Sequence, residues 1–361
     1  MPIRISPTEK VIISESINQK RWKKFKSIKR GYYSFNLIIG LYILSFLLPL
    51  LINSKALIVQ YEGDYYFPAF RDVTPGMTAY YDGNIFNQET PGAANFRQLQ
   101  KKWDGSDNWL IMPIYPYNPY EDITNQENKM YEPPSMTHWF GTDNTGRDVF
   151  ARMCYAFNIS ISFAFVITVL NYIIGISIGG AMGYFGGKFD LFFQRLIEVW
   201  SSLPLLFVVI ILSSILIPSF SLLIFIYTLV HWIFLTYYMR AEFYREKAKD
   251  YVSAAISMGQ STPNIIFRHI LPNSLVPVIT YFPFSIVGGI VALISLDFLG
   301  FGLPPPTPSW GQILYVGLSN ITKWWMVFSP IMAQFFTLLC IVFIGEAVRE
   351  AFDPKIYSRL R

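Results

Sequence analysis

The residues that could carry chemistry do not form a catalytic pattern in this 361-residue sequence. The nearest approach to a phosphate-binding loop is Gly187 with Lys188, but Phe189 follows the lysine and Met182 stands at the position of the leading glycine. The sequence contains no HExxH motif, and the spacing of its three histidines supports no metal site. We therefore expect a chain that is not an enzyme and that needs no metal or cofactor. If ATP powers its function, another chain must bind the nucleotide.

Three isolated polar residues lie inside or beside apolar segments: Glu198, His231 and Asp297. A charged side chain at the centre of a bilayer costs about 2.5–3.5 kcal/mol on insertion scales and often marks a functional position. Glu198 and Asp297 are expected near the ends of their segments, where the cost falls, so a structural partner and a role on a transport path both remain open. His231 is better explained as a hydrogen-bond partner between helices than as a proton relay.

Long apolar segments must position these residues. The chain is 52% hydrophobic and only 15% charged, whereas an average soluble domain has roughly 25% charged residues. About 20 apolar residues suffice to cross a membrane as a helix. The sequence therefore predicts six spans, at residues 35–52, 159–184, 199–217, 220–239, 275–296 and 325–344. The net charge of +5 comes without a basic patch interleaved with base-stacking aromatics, which excludes nucleic acid as an expected partner.

The second predicted span has a face of small residues, namely Gly175, Gly179, Gly183 and Gly187. Residues four apart lie on one side of a helix, and small side chains let two helix backbones approach closely within a membrane. Packing between spans of the same chain is the simpler interpretation, and a dedicated dimer motif is the alternative.

The distribution of Lys and Arg predicts the orientation of the chain. Basic residues are concentrated at 20–30, at 240–268 and after residue 348, and such loops are retained in the cytoplasm. We therefore expect both termini in the cytoplasm, in tails at 1–34 and 350–361. The first helix, at 35–53, lacks a cleavage site and is expected to be retained. Residues 54–155 are then a small, β-rich extracytoplasmic insert, and residues 156–349 form a transmembrane domain.

The segment from Asp250 to Asn273 predicts two short helices around a glycine hinge. Its first helix is amphipathic because four residues follow the i, i+3, i+4, i+7 spacing, namely Tyr251, Ala254, Ala255 and Met258. Gly259 can end this helix, since glycine readily adopts the left-handed conformation. Thr262 is expected to cap the second helix with Pro263 at its first position, and Pro272 to bend or stop it.

This segment resembles the "EAA" loop of binding-protein-dependent ABC importer permeases. The matching positions are Ala254, Ala255, Gly259, Leu271 and Pro272. In that family the loop is a coupling helix that docks into a groove of the ATPase subunit, so the resemblance implies a coupling loop at residues 240–274. The usual acidic residue of the motif falls on Ser253 here.

Three further motifs resemble the dipeptide/oligopeptide branch of that family. The first, HxxGTDxxGRD, covers residues 138–148 and includes Gly141, Thr142, Asp143, Gly146, Arg147 and Asp148. The second, FLGxGxxPPxPxWG, covers residues 298–311 and includes Gly300, Gly302, Pro308 and Gly311. The third, GxxxRxxxDP, covers residues 345–354. Residues 18–22, 30–32, 61–68 and 295–297 are similar to peptide permeases of microcin C-type uptake within that branch.

The resemblance implies an all-α polytopic membrane protein with the transmembrane domain of a type I ABC importer. Its implied partners are a second permease subunit, two ABC ATPase subunits, an extracytoplasmic substrate-binding protein, membrane lipid and a peptide-like substrate. A membrane-embedded enzyme would need titratable residues that converge on one outer site. A secondary transporter would need inverted repeats and broken helices with charged mid-membrane residues. The sequence displays neither pattern, and both remain as alternatives.

Overall fold

The structure is a computed structural model, and it describes residues 16–73, 82–89, 92–121 and 129–353. The predicted tails therefore lie partly outside the described residues, as does part of the predicted insert. The α-helices of the first half are α1 (Ile17–Ser27), α2 (Lys29–Ser45), α3 (Leu48–Leu51), α4 (Pro68–Val73), α5 (Phe96–Lys102), α6 (Val149–Phe185) and α7 (Gly187–Ser201). Those of the second half are α8 (Leu205–Ile215), α9 (Phe220–Lys247), α10 (Asp250–Ser257), α11 (Thr262–Asn264), α12 (Leu271–Phe298), α13 (Trp310–Ser319) and α14 (Trp324–Phe352).

The first predicted span is divided into two helices. Helix α2 ends at Ser45, and α3 begins only at Leu48 with a proline in its first turn. Before α2, the basic helix α1 starts with a capping box in which Ser16 and Gln19 bond each other's backbone N–H groups. Helix α2 lies against α14, where a side chain on Gly31 would overlap that of Ala347.

The predicted insert contains a three-stranded antiparallel sheet in the order β2-β1-β3, formed by β1 (Ile58–Tyr61), β2 (Asp64–Tyr66) and β3 (Trp109–Ile111). Gln60 on the central strand is paired with Tyr65 on one side and with Trp109 on the other. Helices α4 and α5 and a 3₁₀ turn at Gly83–Phe86 accompany the sheet. A small sheet is therefore present, but helices contribute as much as strands to this region.

Helices α6 and α9 form the centre of the membrane domain. Asp148 caps α6 by accepting a hydrogen bond from the N–H of Ala151 at 2.8 Å. A Cβ atom on Gly183 would lie 2.6 Å from the carbonyl oxygen of Arg240 on α9, and one on Gly175 would lie 2.9 Å from Leu235 Cβ. The glycine face thus packs within the chain, as predicted, except for Gly187, which follows the end of α6.

The third predicted span, at residues 199–217, is not one straight helix. Helix α7 ends at Ser201, α8 begins at Leu205, and the two helices are bent by 70°. Pro204 explains the break, because proline cannot donate a helical hydrogen bond and disfavours helical backbone at the residue before it. After α8, Ser219 caps α9 by accepting a bond from the N–H of Leu222.

Four helices of the described chain are long and apolar enough to cross a membrane: Val149–Phe185, Phe220–Lys247, Thr262–Phe298 and Trp324–Phe352. The bent pair α7–α8 makes a fifth span if it counts as one. The all-α membrane fold is therefore confirmed, whereas the number six stays a prediction, because the first span is the divided α2–α3 segment.

Candidate functional site

Helix α10 ends as the sequence predicts, at Gly259. This residue has a φ of +75°, in the left-handed region that glycine tolerates best. The N–H of Gly259 bonds to the carbonyl of Ile256 at 2.9 Å, and the N–H of Gln260 bonds to that of Ala255 at 3.2 Å. This pair of bonds is a Schellman motif. The chain therefore turns sharply after one short helix and leaves α10 as a separate element.

The side of α10 that packs against the chain is not the predicted apolar face. Val252 and Ala255 are the buried residues of α10, and they belong to a cluster with Ile265 and Ile270. Of the predicted face, Ala255 is therefore buried, whereas three other members are exposed: Tyr251, Ala254 and Met258. Ile256 is exposed as well. Helix α10 thus presents an apolar surface that the described residues leave uncovered.

The second helix of the predicted coupling loop differs from the prediction in two respects. Ser261, not Thr262, holds the N-cap position. The helix does not stop at Pro272, because α11, a π-helical stretch at Ile265–Ile270 and α12 run continuously from Thr262 to Phe298. Pro272 lacks a backbone N–H and lies just after the π-helical stretch. The regular α-helical hydrogen bonds are already interrupted there, so the proline does not end the helix. Leu271 is half-buried there, and Pro272 is exposed.

At the other end of α12, the motif at 138–148 is a buried polar network. The Asp148 carboxylate accepts a hydrogen bond from the Tyr115 hydroxyl at 2.6 Å and lies 2.8 Å from Nδ1 of His138. Asp148 is 1% exposed and His138 is 3% exposed. Burial and the neighbouring Asp148 carboxylate raise the pKa of Tyr115 above its ordinary value, so its hydroxyl remains a donor. This network positions the N-terminus of α6.

The remaining residues of that motif shape the loop before α6. Asp143 Oδ1 accepts bonds from the N–H groups of Thr145 and Arg147 at 2.8 and 3.0 Å. Thr142 donates its hydroxyl to the carbonyl of Lys129 at 2.6 Å. Two glycines of the motif have positive φ angles, namely Gly141 at +71° and Gly146 at +79°. These residue types are explained by turn geometry and by buried hydrogen bonds.

The motif at 298–311 is organised in the same way, around Asp297. This carboxylate accepts a bond from the N–H of Leu303 at 2.7 Å and from the hydroxyl of Ser309 at 2.6 Å. Ser309 in turn caps α13. A side chain on Gly302 would overlap Asp297, and one on Gly311 would overlap the carbonyl of Ile294. Gly300 has a φ of +82°, and Pro308 is buried.

The motifs at 138–148 and 298–311 line one cavity of about 490 Å³, together with Arg152 and Gln312. Arg152 Nε lies 3.5 Å from Asp143. Trp310 donates its indole N–H to the carbonyl of Met153 on α6 at 3.1 Å. The two loops are thus joined into one unit at the end of α6 and α12.

A comparison with known proteins identifies this arrangement. The family model described as "Binding-protein-dependent transport system inner membrane component" matches residues 172–357, which is more than half of the chain. The chain belongs to this family.

Individual relatives agree with the family match. The inner membrane ABC transporter permease protein YejE of Escherichia coli is 38% identical, covering 94% of this chain and 97% of that protein. The peptidoglycan transport system permease protein YejE of Agrobacterium fabrum is 36% identical, covering 93% of each chain. The dipeptide transport system permease protein DppC of Bacillus subtilis is 33% identical, covering 69% of this chain and 78% of that protein. The likeness predicted from the motifs is therefore confirmed.

In this binding-protein-dependent permease, the isolated polar residues have structural contacts. Glu198 pairs with Arg195 on the exposed side of α7 at 2.6 Å. Asp297 holds the loop before α13, as described above. The His231 ring stacks on Tyr227 of its own helix, with ring centroids 4.2 Å apart, so this contact does not join two helices. The structure thus favours structural partners for both carboxylates.

Sequence reasoning missed several polar residues that hold the predicted coupling loop, namely Glu246, Gln260, His269 and Asn273. It also treated Tyr251 as an apolar position only. Gln260, His269 and Asn273 lie within the segment from Asp250 to Asn273, but nothing in their spacing indicates which side chains contact each other. Glu246 lies on α9, before that segment, among basic residues that were used only to predict the orientation of the chain.

Proposed function

We propose that this chain is a permease subunit of an ABC importer that carries peptides or peptide-like compounds, such as microcin C-like solutes, across the cytoplasmic membrane. The observation that supports this most strongly is the exposed apolar surface of α10, which ends at a left-handed Gly259 within the part of the chain matched by the family. Relatives named as peptidoglycan and dipeptide transport system permeases support a peptide-like solute.

In this proposal two ATPase subunits dock on the segment from Asp250 to Asn273, and a second permease helps to enclose the solute path. The tails and the coupling loop face the cytoplasm. The insert at 54–155 faces outward, where a substrate-binding protein delivers the solute. ATP-driven closure of the ATPases displaces α10 and swings the spans between inward-open and outward-open states.

The proposed function has a direct test in reconstituted vesicles. The chain is purified with the subunits that co-elute with it, and uptake of a labelled peptide is measured with ATP, without ATP, and with an ATPase subunit whose P-loop lysine is changed to alanine. We expect uptake only with ATP and an intact P-loop. Uptake that continues without any ATPase subunit would contradict the proposal and favour a secondary transporter.

A further inference from the structure

The buried carboxylate of Glu246 links the end of α9 to the start of α10. Glu246 is 2% exposed, and its Oε1 atom accepts a hydrogen bond from Nζ of Lys249 at 2.6 Å. Its Oε2 atom accepts a bond from the hydroxyl of Tyr251 at 2.7 Å. Hydrogen bonds to a charged group are stronger than neutral ones. The last turn of α9 is therefore fastened directly to the first turn of α10.

The same Tyr251 hydroxyl also contacts the helix that follows the loop. Nδ2 of Asn273, at the start of α12, lies 3.1 Å from it and donates a hydrogen bond. Nδ2 of Asn273 also lies 2.9 Å from the carbonyl oxygen of His269 in the π-helical stretch. One hydroxyl group thus joins α9, α10 and α12.

The far end of α10 is held by a second set of side chains. Gln260 follows Gly259, and its Oε1 atom accepts a hydrogen bond from Nδ2 of Asn264 at 2.9 Å. The same oxygen lies 2.8 Å from Nε2 of His269. Both partners lie on the continuous helix from Thr262 to Phe298. Helix α10 is consequently tied at both ends, while Val252 and Ala255 pack between the ties.

We infer that Tyr251 is a positioning residue of the coupling loop, whose hydroxyl fixes α10 to α9 and to the base of α12 so that the three helices move as one body. This inference rests on the proposed function. A rigid connection is what mechanical coupling requires, since a loose helix would absorb the displacement imposed by a docked partner.

The hydroxyl of Tyr251 keeps its proton under ordinary conditions. Partial burial, followed by the hydrogen bond to Glu246, raises the pKa of Tyr251 above its usual value. The group therefore donates to the carboxylate throughout the neutral and mildly alkaline range.

The chain offers a matched control for the tyrosine. Tyr244 on α9 is 38% exposed, as is Tyr251, and its hydroxyl donates to Asp190 Oδ2 on α7 at 3.0 Å. Tyr244→Phe and Tyr251→Phe thus each remove one hydroxyl that bonds to a carboxylate, and only the second bond involves α10.

The first experiment measures solute uptake and ATP hydrolysis in the reconstituted complex. For Tyr251→Phe we expect uptake to fall roughly tenfold, the scale of one lost hydrogen bond to a charged group, while ATP hydrolysis stays within about twofold. The ratio of solute to ATP should not change in Tyr244→Phe.

The second experiment measures the mobility of α10 without transport. Spin labels are placed at Met258 and at Ile173, which are 71% and 59% exposed, in a chain whose Cys154 and Cys340 are replaced by serine. The distribution of label distances should broaden in Tyr251→Phe and remain narrow in Tyr244→Phe. An unchanged distribution, or an unchanged ratio of solute to ATP, would overturn the inference. If the proposed function itself were wrong, the unmodified chain would take up solute without ATPase subunits.

Discussion

The two ends of α12 carry family motifs, but they use the motif residues in opposite ways. Around the motifs at 138–148 and 298–311, Asp148 and Asp297 are buried and bonded within the chain. At the predicted coupling loop, Ala254 and Gly259 are exposed, whereas Ala255 is buried. The comparison teaches that a motif match identifies the family, whereas burial separates residues that build the fold from residues that remain available to a partner.

The largest effect is expected where the buried network around Asp148 caps α6. Asp148→Ala removes the cap and leaves the Tyr115 hydroxyl without its carboxylate, so we expect a loss of about 2–5 kcal/mol of folding free energy. The thermal unfolding midpoint of the purified chain in detergent should fall accordingly. Asn144→Ala, in the same loop but exposed, should leave the midpoint nearly unchanged. Equal unfolding midpoints for the two variants would contradict a structural role for this motif.

A smaller but still structural effect is expected at the motif at 298–311. A methyl group on Gly302 would overlap the Asp297 carboxylate, so Gly302→Ala should cost about 1–3 kcal/mol through overpacking. Gly288→Ala on α12 is the control, because an added Cβ there meets no atom within 4 Å. We expect Gly302→Ala to lower the unfolding midpoint and Gly288→Ala to leave it unchanged. This result would support a structural role for the motif at 298–311.

The predicted coupling loop should behave differently, because its motif residues Ala254 and Gly259 are exposed whereas Ala255 is buried. Ala254→Arg should leave the unfolding midpoint unchanged but weaken co-purification with an ATPase subunit by about tenfold or more, as a bulky charge enters an apolar contact. Ala255→Arg, only one residue away, should instead prevent folding, since Ala255 is 1% exposed. Similar effects for the two alanines would break the distinction between exposed and buried motif residues.

The smallest effect concerns the backbone at Gly259. An added Cβ meets no atom within 4 Å there, so the cost arises from the φ of +75° alone. We expect about 1 kcal/mol for Gly259→Ala and less for Gly259→Asn, because asparagine tolerates the left-handed region better. The rate of solute uptake should be highest with glycine at position 259, lower with asparagine and lowest with alanine. An alanine variant as active as the glycine would show that the turn is not strained.

Much of the membrane domain could be predicted from the sequence, because charge-free apolar segments have few alternatives to a buried helix. The hinge at Gly259 was also predictable, since glycine after an amphipathic run favours a left-handed turn. The divided first span and the bend at Pro204 were not, because hydropathy averages over the few residues at which a helix breaks.

The candidate site was predictable as a segment but not as an arrangement. Helical spacing allowed Tyr251, Ala254, Ala255 and Met258 to share one face, yet packing against Ile265 and Ile270 selected Val252 and Ala255. A π-helical stretch leaves no mark in such spacing. The hydrogen bond between Tyr251 and Glu246 joins α10 to α9. It could not be predicted, because it depends on the conformation of the turn between the two helices.

The most direct test asks what α10 touches and on which side of the membrane. A cysteine at Met258, in the chain without Cys154 and Cys340, is treated with a bifunctional thiol reagent in inner-membrane vesicles that contain the assembled importer. We predict a cross-link to an ATPase subunit and labelling by a membrane-impermeant thiol reagent in inverted vesicles only. Labelling of this cysteine in right-side-out vesicles, with no cross-link to an ATPase, would contradict the account.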